Sequence, residues 1–251
     1  MSGFETLVPE PARGRVYERT VLPGLADATG SGRVRLDAIA RWLQDTAYAD
    51  LVDAGLAGRG AWVVRRARLR VEHFPRFAEP VTLRTFCSGF SALVAERRTS
   101  VSGGGAAVQA AALWVHLDPG SLRPARLGEE FHAVYGESAD GRRARSRLRH
   151  PAPPPDAKRS AWRFRAADLD VAGHVNNAAY LEPVEELFLG AAEPDSADLE
   201  VEFREPAAAG EALVLRHRSA MWIAAPGGAV RASIVGLPSP APPDVDTRDI
   251  A

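Results

Sequence analysis

Apolar and charged positions alternate along WVVRRARLRVEHF (residues 62–74), carrying Val64, Ala67, Leu69 and Val71 to one side with a slip at Arg65 and Arg66. A period of two predicts a half-buried β-strand. PVTLRTFCSGF (80–90) and SALVAERRTSV (91–101) predict two more, and SGGG (102–105) predicts a hairpin turn into AAVQAAALWVHLD (106–118). GRVYERTVL (14–22) adds an earlier strand. The period changes to helical across 36–56, where Leu36, Ile39, Ala40, Leu43, Ala47 and Leu51 share a face and Gly55 and Gly58 supply stop signals. Strands in series imply an antiparallel sheet, with one long helix ahead of it.

The same order returns later: SAWRFRAA (160–167) as a strand, NNAAYLEPVEELFLGAA (176–192) as a helix, then ADLEVEFRE (197–205), EALVLRHRSAMWI (211–223) and GAVRASIVGL (228–237) as three strands. Setting EPVTLRTF (79–86) against EALVLRHR (211–218) also sets Leu69 and Val71 against Val201 and Phe203, so inward positions match inward positions. A helix wrapped by an antiparallel sheet, occurring twice, predicts an α+β tandem (double) hotdog in which the two sheets could join. The expected division is an N-terminal repeat over 12–136, a linker over 137–158, a C-terminal repeat over 159–237 and a disordered tail over 238–251.

The chain has 251 residues, 46% of them hydrophobic, which is enough for a sizeable core. No apolar run reaches the roughly 20 residues of a membrane span. The start, MSGFETLVPEPARGR, lacks the features of a secretion signal, so the expected location is cytoplasmic. Cys87 is the only cysteine, which excludes an internal disulfide and disfavours a thiolate metal site. The formal charge of −1 argues against nucleic-acid binding. Lys158 is the only lysine, so positive charge is almost entirely arginine. Its densest run, GRRARSRLRH (141–150), runs into PAPPP (151–155). That segment reads as a solvated connector, or as a docking patch for an acidic partner through Arg142, Arg143, Arg145, Arg147 and Arg149.

The densest cluster of chemistry is DLDVAGHVNN (168–177), directly ahead of the second helix. A helix start carries unpaired N–H groups and partial positive charge, and so can polarise a carbonyl. Asn176 or Asn177 can cap the helix, and Gly173 lets the backbone bend. Asp170 can activate water or attack a carbonyl, and His174 can position a reactant or move a proton. The competing reading is structural, since loop aspartates and asparagines commonly form caps and turns. The corresponding first-half loop, LADATGSGRVRL (25–36), has Asp27 but neither a histidine nor paired asparagines. Starting the helix therefore does not require the cluster, and one site per chain is expected.

DLDVAGHVNNAAYL resembles the signature loop of hotdog thioesterases. The first half, especially WVVRRARLRVEHFPRFAEPVTLRTFCSG, resembles the double-hotdog acyl-ACP thioesterases; the likeness spans roughly 12–236. The resemblance implies hydrolysis of a fatty acyl-ACP thioester to free acid and thiol carrier, with no metal and no organic cofactor, and acyl carrier protein as partner. It implies catalytic roles for Asp170, His174 and Glu205. Glu205 shares strand parity with Val201 and Phe203 and is expected to point inward. Gly173, Val175, Asn176 and Asn177 would line the reactive end, and Val64, Leu69 and Val71 the acyl tunnel. One departure stands out: where this family has an asparagine two residues before the histidine, the chain has Ala172, as in simpler acyl-CoA thioesterases. An acyl-CoA thioesterase and a non-catalytic acyl-binding protein therefore remain alternatives, and assembly as a homodimer is left open.

Overall fold

The computed structural model describes residues 7–189 and 193–237. The tail expected to be disordered, 238–251, lies outside the described residues. Ten strands form one antiparallel sheet: β1 (Tyr17–Val21), β2 (Ala61–His73), β3 (Val81–Phe90), β4 (Val94–Gly103), β5 (Ala106–Leu117), β6 (Lys158–Phe164), β7 (Ala197–Phe203), β8 (Gly210–His217), β9 (Ala220–Ala224) and β10 (Val230–Val235). Their order across the sheet is β1-β3-β4-β5-β2-β7-β10-β9-β8-β6, so each half repeats the other outward from a central β2/β7 pair. In that pair Arg68 lies opposite Glu200, its own counterpart under the offset that aligns 79–86 with 211–218. A pseudo-twofold axis passes through this point.

The slip at Arg65 and Arg66 is a β-bulge between Val64 and Arg66 in the β2/β5 ladder. The strand expected over 211–223 is two strands, not one. The chain reverses at Arg218, which adopts φ 51°, a turn carried by a residue with no obvious turn signature.

α1 (Leu36–Asp53) fits the predicted helix. Leu36, Ile39, Trp42, Ala47 and Asp50 are buried, and Ala40, Leu43, Ala47 and Leu51 border cavities. α2 (Glu129–Ala139), an unexpected second helix, packs on β3 and overruns the predicted repeat boundary at 136. The later helix is irregular over 177–189: a 3-10 stretch (Asn177–Leu181), one α turn (Glu182–Val184) and a π stretch (Glu185–Leu189). Pro183 lacks the N–H that an α-helix would direct at Ala179, and the Glu182 N–H takes that carbonyl in a tighter turn.

α1 and the later helix lie over the face of the sheet lined by Leu69, Val71, Val201 and Phe203, which forms the main core. The opposite face of β7 carries Glu200 and Glu202 and is crossed by the connector after α2. The fully buried Glu202 carboxylate accepts the N–H groups of Arg149 and His150, the latter at 3.0 Å. The His150 ring contacts Ser233 at 3.0 Å and Glu200 at 3.2 Å, and Trp222 donates to the Pro151 carbonyl at 2.8 Å. The connector is a packed strap, held because a buried carboxylate needs donors and the strap's backbone supplies them. His150, Glu200 and Glu202 are close enough together to hold a metal, yet each already has a partner.

Candidate active site

The loop at 168–177 is closed by an antiparallel bridge between Leu169 and Val175, and its first-half counterpart is closed by a bridge between Ala28 and Val34. The two loops also share their cap. Asp168 accepts the Arg165 N–H at 2.7 Å, and Asp27 accepts the Gly24 N–H at 2.9 Å. Asp168 is thus structural, as is its counterpart Asp27, and the two loops differ in the residues after that cap.

Asp170 is half-buried. One carboxylate oxygen accepts the Ala172 N–H at 2.9 Å in an Asx turn, which fixes the side chain; the other makes no hydrogen bond among the described residues. Gly173, at φ 75°, supplies the left-handed residue that turns the loop, and its N–H bonds the Asp170 carbonyl at 2.9 Å. His174 and Ala172 are exposed at the rim. Val175 is buried and donates its N–H to Ala207 at 2.8 Å, which pins the loop to the segment after β7. Asn176 is the cap: its Oδ1 accepts the Ala178 N–H at 2.9 Å and the Gln44 amide at 2.7 Å.

Gln44 belongs to α1, and the reciprocal contact exists at the other end. When the two bridges are overlaid, Gln44 corresponds to Glu185 and Asn177 to Leu36. Glu185 accepts the Leu36 N–H at 2.6 Å and binds Arg33 through both carboxylate oxygens, at 3.1 and 2.7 Å. In the first half, then, the N–H at the helix start already holds a carboxylate. In the second half, Gln44 goes to the Asn176 side chain, and the Asn177 N–H makes no hydrogen bond among the described residues.

An apolar cavity of about 330 Å³ opens beside this loop. Its wall includes Tyr48, Leu51, Trp62, Cys87 and Phe131 from the first half and Val171 from the loop. A smaller cavity of about 70 Å³ is lined by Leu43, Val64, Leu69, Phe203, Asn177 and Ala178. Gln44, Ala47, Arg97 and Trp114 line both. Val64 and Leu69 therefore face a cavity, whereas Val71, 1% exposed, is packed core and lines neither. Arg97 is buried with Nη1 on Asp50 at 2.6 Å, and Tyr135 donates to the same carboxylate at 2.7 Å. Burial pushes the Tyr135 hydroxyl up to about 12 and the Cys87 thiol up to about 11, so both stay protonated at neutral pH.

The structure corrects two further expectations. β7 ends at Phe203, so strand parity no longer governs Glu205, which is exposed and paired with Arg231 instead of pointing inward. Arg142 is engaged internally: it donates to the Ser88 and Ser138 carbonyls, each at 2.9 Å, and pairs with Asp140 at the end of α2. Arg143, Arg145, Arg147 and Arg149 are exposed on the strap. Gln44, Arg97 and Trp114 escape sequence reasoning, because a helix glutamine and two strand residues carry no signature.

Residues 14–135 match the family model for the acyl-ACP thioesterase N-terminal domain, and residues 152–221 the model for its C-terminal domain. An uncharacterised protein of Mycobacterium tuberculosis (strain ATCC 25618 / H37Rv) is 27% identical over 216 residues, covering 84% of this chain and 86% of that protein. Among solved structures, an acyl-ACP thioesterase from Bacteroides thetaiotaomicron superposes with a TM-score of 0.74 at 15% identity, over 88% of this chain and 97% of that one. A 12:0-ACP thioesterase from Umbellularia californica gives 0.71 at 18%, over 88% and 96%. With both domain models matched in order along one continuous sheet, the chain belongs to the acyl-ACP thioesterase family.

Proposed function

We propose that the protein hydrolyses fatty acyl-ACP at the 168–177 loop, with the acyl chain in the cavity beside α1. The observation that carries this reading is the Gln44–Asn176 hydrogen bond, which joins the wall of an apolar cavity to the one loop bearing an aspartate, a histidine and a helix start together. The architecture is read as a tandem double hotdog, supported by the repeated strand order and the Arg68/Glu200 pseudo-axis.

In the proposed mechanism the thioester carbonyl oxygen sits on the Asn177 N–H, in the position where Glu185 places an oxygen on the Leu36 N–H at the mirrored end. Asp170, held by the Ala172 N–H, accepts a proton from water as the water adds to the carbonyl carbon. The carbon–sulfur bond then breaks, the sulfur leaves with that proton, and the products are a free acid and the carrier thiol. Direct attack by Asp170 on the carbonyl uses the same geometry and passes through an anhydride that water opens. His174 at the rim orients the incoming thioester. Ala172 contributes its backbone N–H to Asp170, so the side-chain amide it replaces has no part in fixing the carboxylate here. Glu205 is assigned no step.

The exposed arginines of the strap, Arg143, Arg145, Arg147 and Arg149, are the proposed contact for an acidic carrier protein. The test is free-thiol release from a panel of acyl-ACPs beside the matching acyl-CoAs. Faster turnover of the carrier substrates supports the reading, with a KM that rises as salt is added. Preference for CoA would transfer the chemistry to the alternative suggested by Ala172, and no release from either would sink the hydrolase reading.

A further inference from the structure

We propose that the site is built for acyl chains of about 12 carbons or fewer, and that Phe131 of α2 sets this limit. The proposal rests on the thioesterase reading and concerns which acyl groups the site takes.

The residues around the larger cavity divide by exposure. Tyr48, Ala57, Gly58 and Val171 are exposed and mark its mouth, with Val171 next in sequence to Asp170. Leu56, Cys87, Ala95 and Phe131 are each at most 9% exposed and form its blind end. All four belong to one small core cluster, which also holds Tyr135 and Ala139 of α2. Cys87 comes from β3 and Ala95 from β4, so the blind end is the packing of α2 on those two strands. Phe131 is the helix residue that reaches the cavity, and its ring centre lies 5.6 Å from that of Trp62, 5.7 Å from that of Phe90 and 4.8 Å from that of Tyr135. Three aromatic contacts hold it there.

Two measures of the space agree. An apolar cavity of about 150 Å³ takes benzene, about six carbons, so a cavity of about 330 Å³ takes about 12. The smaller cavity, about 70 Å³, has room for only about three and is no alternative path for the chain. Along α1, the step from Gln44, bonded to the loop cap, to Leu51, packed against the cluster at the blind end, spans about 10 Å at 1.5 Å per residue. An extended chain advances about 1.2 Å per bond, as extended peptide backbone does, so about eight carbons cover that step before those nearest the thioester are added.

Each methylene that enters the cavity leaves water and gains about fourfold in affinity, whereas one beyond the blind end must displace packed core or stay in water. The experiment measures kcat/KM for saturated acyl-ACPs of about 6 to 18 carbons, in the full chain and in Phe131→Ala. The expected wild-type profile peaks at about 10–12 carbons and falls about tenfold or more by about 16. Removing the ring should move the peak about two to four carbons longer. A wild-type peak at about 16 carbons or beyond, or a flat profile, overturns the proposal. An unchanged profile in folded Phe131→Ala overturns the role of Phe131.

Because the variant removes a buried ring and could fail to fold, binding of free fatty acids of increasing length to the wild-type chain, read by calorimetry, provides an independent measurement. Affinity that rises about fourfold per methylene and levels off at about 12 carbons supports the inference, and a rise that continues past about 16 overturns it. If no thiol is released from any substrate, the hydrolase reading fails, while the fatty-acid series still decides the length of the site.

Discussion

Gln44, in the middle of α1, donates its amide to the Asn176 side chain at 2.7 Å, so the helix that walls the cavity also holds the cap of the 168–177 loop. At the mirrored end Glu185 accepts the Leu36 N–H instead. One helix start is thus closed by a carboxylate from the opposite half of the chain, while the Asn177 N–H at the other makes no hydrogen bond among the described residues. Replacing Gln44 by leucine keeps the volume and removes the amide. The expected outcome is a loss of about tenfold in kcat/KM with little change in Tm, since one hydrogen bond positioning a loop is removed from a half-buried site. Unaltered kinetics in Gln44→Leu would separate the cavity wall from the chemistry.

Asp170→Asn retains the oxygen that accepts the Ala172 N–H and removes the base. Thiol release should fall at least about a hundredfold, the lower end of what a positioned acid or base contributes. His174, exposed at the rim, should matter less, with His174→Gln costing about tenfold. Near-normal rates in Asp170→Asn would sink the proposed mechanism.

Arg33 and Glu185 are both buried, 2% and 7% exposed, and pair through two hydrogen bonds across the two halves of the chain. Arg33→Met leaves the carboxylate without its main counter-charge and should lower unfolding free energy by about 3–5 kcal/mol, read by urea titration. Replacing both residues by methionine should recover much of that loss, because the desolvation cost leaves together with the attraction.

Asp37 sits at the start of α1, where burial raises its pKa and the Arg35 and Arg41 guanidinium groups more than offset that, so the carboxyl titrates below the usual range. A folded pKa lower than the unfolded one contributes stability above the unfolded value, near about 3.9, and loses it as pH falls through the folded value. Stability measured from neutral pH into the acid should decline more steeply in the wild type than in Asp37→Asn, which should be less stable at neutral pH.

Cys87 lines the larger cavity, and burial pushes its thiol up to about 11. It should react slowly with a maleimide at pH 8, and a fatty acid in the cavity should slow it further. Fast labelling unaffected by fatty acid would place the chain elsewhere.

The sequence by itself determined most of the strands, the long helix, the recurring order of elements and the loop, because each is written in local terms: a period of two, a period of 3.6 and turn residues. It could not give the end of β7. Glu205 kept strand parity on paper, but the ladder stops at Phe203, and the residue turns outward to Arg231. Nor could it find α2 or the hairpin at Arg218, whose local signals were weak. Only the tertiary structure decided which of two similar loops is open. That choice rests on Gln44 and Glu185, residues from the opposite half of the chain, and on Trp114 and Arg97 meeting at the cavity junction. Contacts between positions far apart in sequence leave no local pattern; the fold creates them when the two halves of the sheet join across β2 and β7.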